Sequence, residues 1–316
     1  MASTISVRAS RVTKHFGEKT AINDISFDIG KGELFGFIGP DGAGKTTLFR
    51  IITSLLVPDS GSITVEGLDT VTDYKKLRKI LGYMPGRFSL YPDLTVEENL
   101  RFFAGIFKTT PEENYDLVKD IYGQLEPFRN RKAGKLSGGM KQKLALSCAL
   151  IHKPEVLVLD EPTTGVDAVS RIEFWEMLAK LRKSGITIVV STPYMDEASR
   201  CDRVALIQNS KIMSINTPDG IRNAFGQELW AVRADDIYRL LGDLRHFKAT
   251  RTAFPFGEYI HVSLKDTVVK TDEIISYLQS AGHNNIQIVQ IEPTIEDCFM
   301  EMMKTEEKQK KSIRID

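Results

Sequence analysis

The stretch Gly39-Pro40-Asp41-Gly42-Ala43-Gly44-Lys45-Thr46-Thr47 constrains this chain more than any other. It satisfies the pattern G-x-x-x-x-G-K-S/T in full, and its flanks are those the pattern needs. Before it runs Leu34-Phe-Gly-Phe-Ile38, a short apolar segment that reads as a buried strand. After it, Thr47 to Leu56 carries apolar residues at helical spacing and is closed by Pro58-Asp-Ser-Gly61. A strand, a glycine loop and a helix start aim backbone N–H groups and a positive helix end at one anion. In that geometry Lys45 reaches the β- and γ-phosphates of a nucleotide and the Thr46 hydroxyl sits on Mg2+. A chance glycine-rich turn would need neither flank.

Composition sets the outer limits. A length of 316 residues suggests one large domain or two, and 42% hydrophobic residues supply an ample core. Lys+Arg and Asp+Glu are both 42, so the net charge is zero and gives no general electrostatic case for nucleic acid. The basic run Arg129 to Lys135 is short and reads as solvated surface. Cys148, Cys201 and Cys298 are odd in number and far apart, which fits a reducing compartment without a disulfide framework. Cys148, between Leu144-Ala145 and Ala149, reads as core filler. Met1 to Arg8 lack a long apolar stretch, so no secretory signal is expected. No run of about 18 apolar residues offers a membrane span.

A phosphate loop alone says only "nucleotide". Four apolar residues, Val156-Leu-Val-Leu159, lead into Asp160-Glu161-Pro162 and read as a parallel strand with acids at its carboxyl end. Asp160 can hold Mg2+, through water, and Glu161 can polarise an attacking water, a division of labour suited to phosphoryl transfer. Further upstream, Leu136-Ser137-Gly138-Gly139-Met140-Lys-Gln142 opens a helix. Ser137 is a natural N-cap, and Leu144, Ala145, Cys148, Ala149 and Ile151 follow at helical spacing. A plain capped helix needs the Ser but not two glycines.

With those residues in view, residues 4 to 225 or so resemble the ATP-binding subunit of ABC transporters, whose signature LSGGMKQ is far more specific than a P-loop. The resemblance implies a P-loop NTPase α/β core with an inserted helical subdomain. It implies that Ser137, Gly138 and Gly139 contact the γ-phosphate of ATP held by a second ATP-binding domain in a head-to-tail dimer. Thr164-Gly-Val-Asp167 resembles the family's D-loop, and Phe16 stands where an aromatic stacks on adenine. Asp41 replaces a commoner Asn, a minor change because the loop binds through its backbone. Thr95-Val-Glu-Glu98 and Thr110-Pro-Glu-Glu113 are capping boxes, the second with Pro at N1. They predict helices over about Val96–Phe107 and Pro111–Leu125, within a helical subdomain of about 90–153.

Two departures stand out. The family usually places Gln after the strand Ile80-Leu-Gly-Tyr-Met84-Pro85, as a sensor of Mg2+ and γ-phosphate; here the residue is Gly86. After Ile186-Thr-Ile-Val-Val190-Ser-Thr192 it usually places a His that contacts γ-phosphate and attacking water; here it is Pro193. Pro offers neither a side-chain donor nor a backbone N–H. The expectation is a site that binds ATP well and hydrolyses it slowly, with this chain's signature completing a competent site on a more standard partner. A homodimer that relies on Glu161 is the alternative.

Between Gly86 and Glu98, Phe88, Leu90, Tyr91 and Leu94 lie where the family docks its membrane subunit, or else anchor the loop to its own subdomain. Residues 1–226 are read as the ATP-binding domain. Over 227–303 the pattern βαββαβα predicts a small α+β, ferredoxin-like module, and 304–316, of mixed charge, is expected to be disordered. Pro293-Thr-Ile-Glu-Asp297-Cys-Phe299 resembles the C-terminal segment of ATPases serving ABC-2 type exporters. The resulting expectation is a cytoplasmic ATPase, peripheral on the inner face of the cell membrane and docked on a separate integral membrane permease. A nucleotide-gated regulatory module and a soluble ABC-type ATPase acting on nucleic acid or ribosomes are the rival readings.

Overall fold

The computed structural model describes residues 4–87, 89–265 and 271–313, with side chains up to Thr305. It divides into two compact units, Met1–Pro218 and Asp219–Asp316. The first builds β1 (Ile5–Phe16), β2 (Lys19–Gly30), β3 (Leu34–Ile38), α1 (Lys45–Ile52), β4 (Ser60–Val65), β5 (Leu68–Asp69), α2 (Tyr74–Ile80) and β6 (Leu81–Met84). It continues with α3 (Val96–Ile106), α4 (Tyr115–Tyr122), α5 (Gly138–Leu150), β7 (Val156–Asp160), α6 (Ala168–Lys183), β8 (Thr187–Thr192), β9 (Arg203–Gln208) and β10 (Lys211–Asn216).

Six strands run β10-β9-β3-β8-β7-β6, parallel throughout except for the β10–β9 pair. A parallel sheet is covered on both faces, so its central strands carry continuous rather than alternating apolar residues. Accordingly every residue of β3, β7 and β8 is buried. A second, antiparallel sheet runs β2-β1-β4-β5. The two share one core. Phe37 of β3 packs against Phe27 of β2, Phe35 and Phe49 of α1, with ring centroids 5.0, 5.2 and 5.7 Å away. That aromatic cluster fixes the helix that starts at Lys45 relative to both sheets.

The helical insertion follows the capping logic in part. Thr95 accepts from the Glu98 N–H while the Glu98 side chain accepts from the Thr95 N–H, and α3 starts at Val96 as predicted. Replacing Thr95 by Ala should therefore lower unfolding stability by about 1 kcal/mol, read from a denaturant midpoint. An unchanged midpoint would show that Asn99 alone holds the helix start. That residue is fully buried and binds the Tyr91 N–H and the Tyr91, Leu94 and Thr95 carbonyls. At the second box the reciprocal Thr110–Glu113 bonds also form. Here, however, the regular helix starts only at Tyr115 and ends at Tyr122, not Leu125. Asn114 is the reason: its amide bonds the Ile151 carbonyl and the Thr109 hydroxyl, so it serves tertiary packing rather than the first turn of a helix.

The second unit comprises α7 (Pro218–Asn223), β11 (Leu229–Arg233), α8 (Ile237–His246), β12 (Thr250–Phe256), β13 (Tyr259–Leu264), α9 (Thr271–Ser280), β14 (Gln287–Ile291) and α10 (Ile295–Ile313). Its strands run β12-β13-β11-β14, all antiparallel, a ferredoxin-like order. Val232, Ile260 and Val262 of the sheet pack with Leu240, Leu244, Ile274 and Leu278 of α8 and α9. β12 carries Pro255 within it, opposite Ile260. The strand is at the sheet's edge, where a missing N–H leaves no ladder bond unmade. Thr294 and Asp297 cap α10 through reciprocal bonds. The disorder expected from residue 304 is corrected in part: α10 runs on through Ile313. Lys, Glu and Gln dominate that stretch, and these residues favour helix even without an apolar face.

Among the described residues, no helix is long and apolar enough to cross a membrane.

Candidate nucleotide site

β3 ends at Ile38 and α1 begins at Lys45, so Gly39 to Gly44 form the loop between a parallel strand and a helix. The Gly39 N–H donates to the Thr192 carbonyl at 3.3 Å, tying the loop to the end of β8. Lys45 is only 2% exposed. Its ammonium donates to the Gly39 and Pro40 carbonyls at 2.8 and 3.0 Å and pairs with Glu161 Oε1 at 3.2 Å. A buried cation is thus held by the loop's own carbonyls and by one carboxylate, all of which a phosphate oxygen can replace as its partner. Gly44, at the helix N-cap, has φ +109°, and a Cβ there would lie 2.3 Å from the Ala21 carbonyl oxygen. Gly44→Ala combines an unfavourable φ with a backbone clash. We expect it to abolish detectable nucleotide binding in a fluorescent ATP-analogue titration; binding within threefold of the parent would refute this account of the loop.

The carboxylates arrive on β7. Asp160 is buried, and its Oδ1 accepts from the Thr46 hydroxyl at 3.2 Å and from the Ser191 hydroxyl at 2.7 Å. Ser191 also accepts from the Glu161 N–H at 3.0 Å. Ser191 therefore orients both acids, a role the sequence reading did not assign. It stands directly opposite Asp160 in the β7–β8 register. The one signal available in advance was a hydroxyl residue near the carboxyl end of β8, directly after Ile188, Val189 and Val190. Glu161 has φ +50°, an unusual conformation for a residue with a side chain, and such strain concentrates at functional sites. Thr46 Oγ1 and Asp160 Oδ1 lie side by side as hard oxygen donors. That pair suits Mg2+, which keeps several waters and takes one or two protein oxygens besides substrate phosphates.

Phe16, Gly42, Gly44 to Thr47 and Glu161 line one cleft of about 190 Å3. Phe16 closes β1 and is 51% exposed, so it is not core, and Lys14 Nζ sits 5.8 Å from its ring centroid. Pro40 is half-buried, Ala43 buried and Asp41 exposed on the same loop.

The signature residues lie elsewhere. Ser137 caps α5 by accepting from the Met140 N–H at 3.3 Å. A Cβ on Gly138 would lie 3.2 Å from the Gly165 carbonyl, and one on Gly139 only 2.5 Å from Ser170 Oγ. Gly139 is thus needed for close packing against the start of α6, beyond leaving N–H groups free. Asp167 caps α6 by accepting from the Ser170 N–H at 3.0 Å, and that bond holds its carboxyl below the usual range. None of Ser137, Gly138, Gly139 and Asp167 lines the Lys45 cleft.

Both departures flank Asp160, at the carboxyl ends of β6 and β8, the two neighbours of β7. Gly86 backs onto the Asp160 carbonyl, where a Cβ would lie 3.1 Å from the oxygen. In the segment beyond it, Phe88 lies outside the described residues. Leu90 is buried rather than exposed, and Tyr91 is half-exposed. Leu90 joins Tyr83, Met84, Phe103, Phe107 and Cys148 in lining a mainly apolar cavity of about 260 Å3. Cys148 is buried, as expected of core filler, and burial pushes its thiol up.

The ABC transporter family profile matches residues 22–164. The probable multidrug ABC transporter ATP-binding protein YbhF of Escherichia coli (strain K12) is 42% identical over 219 residues, 68% of this chain and 38% of that protein. The chain therefore spans less than half the length of that relative. The Nod factor export ATP-binding protein I of Rhizobium sp. (strain N33) is 32% identical over 305 residues, 95% of this chain and 97% of that one. The solved ATP-binding subunit of an ABC transporter superposes with a TM-score of 0.64 at 28% identity, over 70% of this chain and 93% of that one. An ATP-binding cassette seen as a dimer with ADP and Pi gives 0.60 at 29%, over 67% and 98%. With P-loop, acidic strand end and LSGGM helix all in their places, the chain belongs to the family of ABC transporter ATP-binding proteins.

Proposed function

We propose that this chain is the ATP-binding and ATP-hydrolysing subunit of an ABC-2 type exporter, working with a separate integral membrane permease and a second ATP-binding domain. The observation that carries the reading is that Lys45, Thr46 and Glu161 line one cleft, with buried Asp160 bonded to the Thr46 hydroxyl, while Ser137 to Gly139 open a helix outside it. A signature that does not serve its own cleft is available to another subunit's nucleotide. The relatives, a probable multidrug ABC transporter ATP-binding protein and a Nod factor export ATP-binding protein, favour export.

On this reading the loop from Gly39 to Thr47 holds the phosphates of ATP, with Lys45 on the β- and γ-phosphates and Phe16 against the adenine. Thr46 and Asp160 hold Mg2+, which neutralises charge on the phosphates. Glu161 orients and polarises the attacking water, and its backbone is fixed by Ser191. ATP draws two such domains together, each capped by the other's Ser137 to Gly139 with Asp167 nearby, and hydrolysis releases them. The apolar cavity below Leu90 receives the permease, which places the chain at the inner face of the cell membrane. Because Gly86 and Pro193 supply no side-chain donor, the chain's own cleft holds ATP and turns it over slowly, and its signature completes the faster site of an unlike partner.

Two measurements test this. Co-purification with a multi-span permease supports the transporter reading, and a chain that binds no ATP ends it. Brisk, Glu161-dependent turnover by the isolated chain would refute the asymmetric arrangement and leave a homodimer.

A further inference from the structure

Glu197 is 3% exposed, and nothing in the nucleotide chemistry above uses it. It lies on a short 3-10 turn, Met195–Arg200, just beyond Pro193. Its Oε2 accepts from the Thr192 hydroxyl at 2.5 Å and from the Thr163 hydroxyl at 3.2 Å. Both threonines are buried, at 0% and 1% exposure. Its Oε1 has no hydrogen bond and faces Arg171 Nε at 3.6 Å. Arg171, on α6, is itself held by Asp196 at 2.8 Å and stacks near the Tyr194 ring at 4.9 Å.

Burying a carboxylate is costly unless its lone pairs are met, so a buried acid with partners on three separate segments has a geometric task. The partners define it. Thr192 ends β8, receives the Tyr194 N–H on its hydroxyl and receives the N–H of Gly39, the first residue of the phosphate loop, on its carbonyl. Thr163 belongs to the connection between Glu161 and Asp167, and Arg171 sits one turn beyond Asp167, to whose carbonyl its N–H donates. One carboxylate therefore joins the segment carrying Pro193 to the segment that runs from Glu161 to Asp167. In a chain with an ordinary His at 193, that side chain could hold its own segment through the phosphate. Pro193 has no such means.

We propose that Glu197 is a positioning residue that locks the Thr192–Asp196 segment to the Glu161–Asp167 segment, setting the geometry of both around bound nucleotide. Its consequence for turnover rests on the ATPase reading above; the mechanical link does not.

Hydrogen exchange on the full-length chain tests the link directly. Glu197→Ala should speed amide exchange about ten- to a hundredfold in residues 163–167 and 194–197 together, the factor expected for one or two charged hydrogen bonds lost. Amides of β3 and α1 should keep their rates. Thr163→Val, nearly isosteric, removes one arm and should speed exchange in the distant 194–197 segment as well as in its own. Glu197→Gln, which can still accept from both hydroxyls, should restore most of the protection. For ATP, the alanine variant should keep its Kd within about threefold while kcat falls about tenfold or more, as expected when geometry rather than binding is lost. Exchange that rises only locally in Thr163→Val, or across the whole chain in Glu197→Ala, would overturn the proposal, as would parallel losses in Kd and kcat. Exchange decides the link even if the parent chain shows no turnover, a result that would count against the ATPase reading alone.

Discussion

Replacing Glu161 by Gln should leave ATP bound and slow its hydrolysis by about 10²–10⁴, the usual worth of a positioned general base. The substitution keeps the side chain's size. The backbone bonds from Glu161 N–H to the Ser191 carbonyl and hydroxyl, at 3.1 and 3.0 Å, do not involve the carboxylate and should hold the residue in place. What disappears is the charge that pairs with Lys45 Nζ at 3.2 Å and that would polarise water. Freed from that pair, Lys45 has only the two loop carbonyls to leave when phosphate arrives, so affinity for ATP should be held or rise. The measurement is steady-state phosphate release beside an equilibrium titration with nucleotide, on the chain with whatever second domain supports turnover. A rate that stays within threefold of the parent would remove Glu161 from the chemistry. A rate and an affinity that fall together would mean the loop had been disturbed instead.

How far the sequence reaches can be judged residue by residue. The loop Gly39–Thr47, the strand end at Asp160-Glu161 and the helix opened by Ser137 were legible because each is a local pattern: a few adjacent residues carry both the fold and the chemistry. The α+β pattern after residue 227 was legible for the same reason, since alternating short strands and helices announce themselves by period. Other features depend on pairing across the chain. Ser191 matters because β7 and β8 align it with Asp160, a partner 31 positions away, and no local window contains both. Glu197 finds Thr163 from a distance of 34. Thr110-Pro-Glu-Glu113 looked like a helix start, and its bonds form, yet tertiary demands on Asn114 postpone the helix. Pro255 would break the ladder of a central strand and is tolerated because the sheet order leaves β12 at the edge. In each case local propensity was sound and the three-dimensional neighbour decided.

The reverse experiment is to put back what the two departures removed. Pro193→His places an imidazole at the carboxyl end of β8, beside the strand that ends at Asp160, next to Glu161. The turn does not depend on proline alone. Tyr194 N–H already donates to the Thr192 hydroxyl at 3.1 Å, and Glu197 anchors that hydroxyl in turn, so the backbone should keep its course. One restored donor aimed at developing charge is worth about 10²–10³ in rate, and the gain should appear in kcat with little change in ATP affinity. Gly86→Gln should contribute less. Its Cβ would meet the Asp160 carbonyl oxygen at 3.1 Å, so the β6 end or the acid itself must yield by a few tenths of an ångström. Movement of Asp160 is what the Thr46 hydroxyl, at 3.2 Å, can least accommodate. The double variant should therefore exceed Pro193→His by far less than the product of two full donors. Phosphate release by parent, both singles and the double, each with a Glu161→Gln control, gives the answer. If Pro193→His is no faster than the parent while Glu161→Gln still abolishes what turnover there is, the cleft is limited by something other than the absent side chains. The case for an intrinsically slow half-site paired with a standard partner then loses its physical cause.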